Sequence, residues 1–179
     1  MRGIQSDAQL RRSLQEITHT HIGSRAHEQI ALIDALSHDH PHSISLAQEA
    51  ISGKPETGIF NCIQYALDLV EPPDQIFRIA CCQKDVGVGP KFVAWLVSNS
   101  ILRPTDMDHA DDRDLVLYFE GPIVKHAAKI SGDRLISKWG SFHLWNHGLW
   151  EVPEAYGNEI RYFRAISRDA VSSAFFAPA

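Results

Sequence analysis

Cys62 follows Asn61 at the point where a polar loop gives way to an apolar-striped run, and this placement gives it more chemistry to offer than any other side chain. Ile63, Ala66, Leu67 and Val70 fall at i, i+3, i+4 and i+7. The spacing predicts a helix with one buried face, Asn61 as its natural N-cap, and a stop at Pro72-Pro73. A thiol in the first turn of a helix meets backbone N–H groups that have no intrahelical partner, together with the positive end of the peptide dipoles. Both favour the thiolate. The competing role is that of a small apolar core residue, the commoner fate of a lone helical cysteine.

A nucleophile needs a base. His126 lies in the β-prone run Ile123–Ile130, where small Ala127 and Ala128 leave room around the imidazole. The turn Ser131-Gly132-Asp133 then returns the chain as Leu135-Ile136-Ser137-Lys138, a neighbouring strand able to present a third polar group. A nucleophile on a helix start, a base on a strand and an orienting residue on the next strand satisfy triad geometry without proximity in sequence. In such a site His126 takes the thiol proton and Cys62 attacks a carbonyl. The helix-start amide of Cys62 helps to hold the oxyanion, and an acyl-enzyme follows. Water resolves it in a peptidase or amidase, an amine in a transferase.

The elements that must position these groups change character along the chain. Residues 7–18 predict an amphipathic helix capped by Ser6 or Asp7, residues 24–36 a second, and residues 45–51 one or two further helical turns. A helix opens at Pro90, turns Phe92, Val93, Leu96 and Val97 inward, and ends before Pro104. Residues 76–82 are too short to assign. Residues 114–119, 123–130, 134–139 and 160–166 are β-prone runs separated by Gly-containing turns. Helices first and strands second predict an α+β fold, with an antiparallel sheet against which the Cys62 helix packs.

The motifs Asn-Cys-x-x-Tyr-Ala-Leu at 61–67, Asp-Leu-Val-Leu-Tyr-Phe at 114–119, His126, and Gly-Asp-Arg-Leu-Ile-Ser-Lys-Trp-Gly at 132–140 together resemble the NlpC-type branch of the papain-like cysteine peptidases. The resemblance covers roughly residues 56–166 and looks closest to a divergent, uncharacterised side branch. It implies a papain-like domain over 56–179 behind a helical N-terminal extension over 1–55. It also implies a thiol-dependent hydrolase of amide or peptide bonds, with Cys62 matching the nucleophile and His126 the base. Ser137 matches the third polar position if the hairpin turn is one residue shorter, and Lys138 if it is not. Asn61, Lys138, Trp139 and His147 are the neighbours expected to meet substrate. Two departures stand out: peptidoglycan-cleaving members continue the cysteine with Ser-Gly, where this chain has Ile63-Gln64, and the third position is not His, Asn or Asp. The alternatives are a non-catalytic binding module that keeps the fold, and a deamidase or acyltransferase effector using the same site.

Composition narrows the partners. With 44% hydrophobic and 22% charged residues the chain should fold, and a formal net charge of −5 without a basic stripe argues against nucleic acid. No apolar run approaches the roughly 18 residues of a membrane helix, and the first residues lack a secretory signal, so a cytoplasmic protein is expected. Three cysteines without a Cys-x-x-Cys pair predict neither a disulfide framework nor structural zinc. No cofactor or metal is expected. His38-x-His40-x-His42 reads as a solvated loop and the aspartates from Asp106 to Asp114 as a solvated lead-in to a strand; the pair His143 and His147 is not expected to bind metal, and His147 is expected to hydrogen-bond near the cleft as a spare partner for Cys62. Three of the four tryptophans, Trp139, Trp145 and Trp150, crowd into one run that predicts a core layer. The expected partner is a peptide or protein substrate, with the N-terminal helices as a possible protein-binding surface.

Overall fold

The computed structural model describes residues 3–20, 26–47, 60–70, 88–140 and 143–176. Among them are five helices and seven strands. The helices are α1 (Gly3–Thr20), α2 (Ala26–Leu36), α3 (Cys62–Ala66), α4 (Pro90–Ser98) and α5 (Arg168–Phe176). The strands are β1 (Ser45–Leu46), β2 (Pro104–Thr105), β3 (Leu115–Glu120), β4 (Ile123–Ser131), β5 (Arg134–Lys138), β6 (Leu144–His147) and β7 (Glu159–Phe163). They form one sheet in the order β1-β6-β5-β4-β3-β7-β2, with every neighbouring pair antiparallel. The α+β class and the antiparallel sheet follow the sequence pattern. No helix among the described residues is long and apolar enough to cross a membrane.

Side chains alternate across the central strands, so each strand feeds two cores. On one face, Leu115, Leu117, Phe119, Val124, Ala127 and Phe163 pack with Ile63 and Ala66 of α3 and Leu67 just after it, Phe92, Val93 and Leu96 of α4, and Val171 of α5. On the other, Val116, Tyr118, Ala128, Leu135 and Trp145 pack with Leu10, Leu14 and Ile17 of α1 and Ile33 of α2. Among the described residues up to 47, α1 and α2 pack on one face of the sheet, and β1 is its edge strand beside β6.

Several local expectations need correction. Helix α1 begins at Gly3, which puts Ser6 and Asp7 inside the helix rather than at its cap. Ser45 and Leu46 form a strand where helical turns were expected, because they pair with Asn146 and Trp145. Leu144–His147 is also a strand, paired along its length with β5, which the tryptophan-rich run did not reveal. Helix α3 spans five residues and ends early at Asp68, whose φ of 55° breaks the helix. Asp114 is buried rather than solvated. Its carboxylate accepts from the N–H of Ala165 at 2.6 Å and of Asp111 at 3.0 Å, tying the segment after β7 to the start of β3. Residues 76–82, with Cys81 and Cys82, lie outside the described residues.

A 3₁₀ turn, Glu154–Tyr156, passes directly over the end of β3. Gly157 allows this approach: its φ is +112°, and a Cβ there would stand 2.4 Å from the carbonyl oxygen of Phe119. Replacing it should therefore both strain the backbone and push the turn off the sheet. Gly157→Ala is expected to lower stability by about 3 kcal/mol, read as a drop in the urea midpoint; a loss below about 0.5 kcal/mol would contradict the packing described.

Candidate functional site

Cys62 opens α3 because Asn61 caps it. Asn61 Oδ1 accepts from the N–H of Gln64 at 2.9 Å, and Gln64 Oε1 accepts from the N–H of Asn61 at 2.7 Å. The Asn61 amide nitrogen donates to the carbonyl of Val88 at 2.8 Å, fastening the helix start to the approach to α4. Asn61 thus shapes the backbone on which Cys62 sits.

The Cys62 side chain packs at the border of the α3 core while the residue keeps part of its surface in solvent. Burial pushes the thiol up from its ordinary value. The N–H groups of Ala127, Ile63 and Cys62 itself, and the ammonium of Lys138, pull it back without cancelling the shift. The thiol therefore lies against the amide of the residue that follows His126. Here the β4–β5 ladder, paired from Ser131 with Arg134 up to Lys129 with Ile136, has already ended.

The imidazole of His126 takes the other direction. Leu117 pairs with Ala127 and Tyr118 with His126, so Ala127 faces α3 while His126 faces the α1 and α2 side with Tyr118. A register shift between Tyr118 and Phe119, where Lys125 is the extra residue, fixes this arrangement. The His126 ring stacks on Tyr156 at 3.9 Å between centroids and lies 5.6 Å from the Tyr118 ring. It is 1% exposed, and its Nε2 has no hydrogen-bond partner among the described residues. Burial, with a smaller contribution from His147, holds it well below its ordinary value. The thiol lies against the Ala127 amide on the α3 side while the imidazole of the preceding residue faces the other side, and no hydrogen bond joins them among the described residues.

The remaining predicted residues divide between the two faces. Ser137 does not reach His126. Its hydroxyl donates to His147 Nε2 at 2.8 Å and accepts from Trp139 Nε1 at 3.0 Å, while His147 Nδ1 donates to the carbonyl of Gly148 at 2.8 Å. The last bond places the proton on Nδ1 and leaves Nε2 as the acceptor. Ser137, Trp139 and His147 are all fully buried, and the Trp139 ring packs on Trp145 and His147 at 5.6 Å each. These three side chains form a closed internal network and offer no surface to a substrate. Lys138 projects the opposite way, toward α3, with Nζ 4.1 Å from the centroid of Phe60. Tyr156 was not singled out from the sequence. Its hydroxyl accepts from the N–H of Gly140 at 3.0 Å, and burial and the neighbouring Cys62 both raise its pKa. Only the Gly157 turn signal after it hinted at a close approach.

Among the described residues, no three His, Cys, Asp or Glu side chains gather as a metal site would require. His42 acts instead as a loop strut, bonded to the carbonyl of Ile33 at 3.0 Å and to the N–H of Ile44 at 3.2 Å. Compared with known proteins, the chain matches no family model, no curated protein and no solved structure.

The buried network makes stability depend on pH. His147 falls from an ordinary 6.5 to about 4 in the folded chain, so between these values the unfolded state binds the extra proton. Stability is full above about pH 6.5 and declines as pH falls toward 4, by about 3 kcal/mol from this group, with His126 adding in the same direction. Urea midpoints at pH 7 and pH 4.5 should show the loss, and His147→Gln should flatten it. A midpoint that does not fall would show that the imidazoles are not held neutral.

Proposed function

We propose that the chain is a cysteine-dependent acyl-transfer enzyme, a hydrolase of amide or peptide bonds on a papain-like scaffold. Cys62 is the nucleophile and His126 the proton acceptor. The observation that carries the reading is the thiol at a capped helix start, met by the N–H groups of Ile63 and Ala127, one residue from a buried imidazole whose Nε2 is unpartnered. In the reaction the Cys62 proton passes to the His126 imidazole and the sulfur bonds to the substrate carbonyl carbon. The helix-start amides hold the oxyanion, and His126 returns the proton to the departing amine. Water then adds to the thioester and frees Cys62. At rest the imidazole is stacked on Tyr156 and faces away from α3, so proton transfer requires it to reorient toward the sulfur.

Hydrolysis of p-nitrophenyl acetate, with mass spectrometry of the acylated chain, tests the proposal. Acetate should appear on Cys62, Cys62→Ala should abolish turnover, and His126→Gln should slow it by about 100-fold or more. The rate should climb with pH well above the range of an ordinary thiol, since burial holds Cys62 up. Turnover by Cys62→Ala equal to the parent's would refute the assignment.

The resting site also favours a second reading, a binding module that has kept the scaffold, because its thiol and imidazole are neutral and not bonded to each other. That reading expects no ester turnover and no acetate on Cys62.

A further inference from the structure

We propose that α1 is an autoinhibitory latch: through Arg11 it grips the 3₁₀ turn Glu154–Tyr156, so that Tyr156 pins the His126 imidazole on the face of the sheet away from α3. The inference rests on the acyl-transfer reading, which needs that imidazole to reorient, and adds to it the element that governs the movement.

Arg11 lies midway along α1, and its guanidinium is turned onto the segment between β6 and β7. Its Nε donates to the carbonyl of Val152 at 3.3 Å. Nη2 donates to the carbonyl of Glu154 at 3.3 Å and to that of Gly157. The same guanidinium stands 5.2 Å from the centroid of the Trp150 ring. One turn further along α1, Gln15 Oε1 accepts from the N–H of Ala155 at 2.9 Å. A single helix thus holds backbone groups on both sides of Tyr156. Charge-assisted bonds from a planar fork fix a loop more firmly than neutral ones do.

The turn held in this way carries the cover of the imidazole. The Tyr156 ring lies on His126 with 3.9 Å between centroids and 17° between planes, and the Tyr118 ring closes in at 5.6 Å. His126 is left 1% exposed, with Nε2 unpartnered among the described residues. An unpartnered buried nitrogen is unfavourable, so packing from the turn, and not a bond to Nε2, keeps the ring in place. Two further bonds fasten this segment to the sheet side. The N–H of Asn158 donates to the carbonyl of Phe119 at 2.9 Å, and that of Gly140 donates to the Tyr156 hydroxyl at 3.0 Å. The first anchors the chain where β7 begins, so a turn released by Arg11 lifts about that end.

The test is carbethoxylation of His126 by diethyl pyrocarbonate at about pH 7.5, read by peptide mass spectrometry. His147 is the internal reference, since it is equally buried but is bonded to Ser137 and Gly148 and not to the turn. Arg11→Ala should speed modification of His126 about tenfold over the parent while His147 stays protected. Arg11→Lys, which keeps the charge but loses the fork, should fall between the two. Gln15→Ala removes one exposed neutral contact and supplies the comparison if Arg11→Ala fails to fold, with an expected rise at His126 of about threefold. Equal His126 rates in the parent and every folded variant, or a rise at His147 matching that at His126, would overturn the proposal. With p-nitrophenyl acetate, the released variants should acetylate Cys62 faster than the parent does. Faster acetylation with His126 still protected would also overturn the latch. A freed His126 without acetylation would sink the acyl-transfer reading and leave the latch standing.

Discussion

The site depends on the register of β4. This strand lies at the centre of the sheet and supplies both cores, so moving it by one residue would exchange the side chains on its two faces. In the observed register Ala127 faces α3, leaving space and an amide for the Cys62 thiol, and His126 is sent to the tyrosine-lined side. The bulge opposite Tyr118 and Phe119 sets this register at the strand's first half, and the Gly157 turn clamps the end of β3 beside it. The Ala127 amide and the His126 imidazole are thus placed by one strand's pairing rather than by contact with each other.

The electrostatics of the thiol show which physical effect dominates. A helix start lowers a cysteine pKa, but interactions with the helix dipole contribute only about 0.3–1 kcal/mol at exposed sites. Desolvation can move a buried group by several pKa units. Here α3 is only five residues long and Cys62 borders a hydrocarbon core, so burial outweighs the dipole and the thiol is raised. The helix start by itself therefore does not make this thiol an ionised one.

Much of this was legible in the sequence and some was not, for identifiable reasons. The Asn61 cap, the Pro90 helix start and the β3, β4 and β5 strands follow from local rules: side-chain capping, proline at the first helical position, and turns containing glycine. Strands β1 and β6 do not. Each is short and exists because it pairs with a distant partner, as Leu46 does with Trp145, and no local propensity carries that information. The nomination of Cys62 and His126 picked out neighbouring elements but not the face on which the imidazole lies, because the bulge at Tyr118 and Phe119 is invisible to alternation counting. The ambiguity between Ser137 and Lys138 was of the same kind, a question of strand parity.

That parity is fixed by the buried polar network. A hydroxyl inside a core must be hydrogen-bonded or its burial is costly, and Ser137 meets this condition only by facing His147 and Trp139. Were β5 shifted by one residue, Ser137 would lose both partners and His147 would lose its donor, while an ammonium would be carried among Trp139, Trp145 and His147. The resulting desolvation penalty, at about 1–3 kcal/mol for each unpartnered group and more for the charge, selects strongly against the slip. The closed network of Ser137, His147 and Trp139 therefore also keeps Lys138 on the α3 side of the sheet, over Phe60.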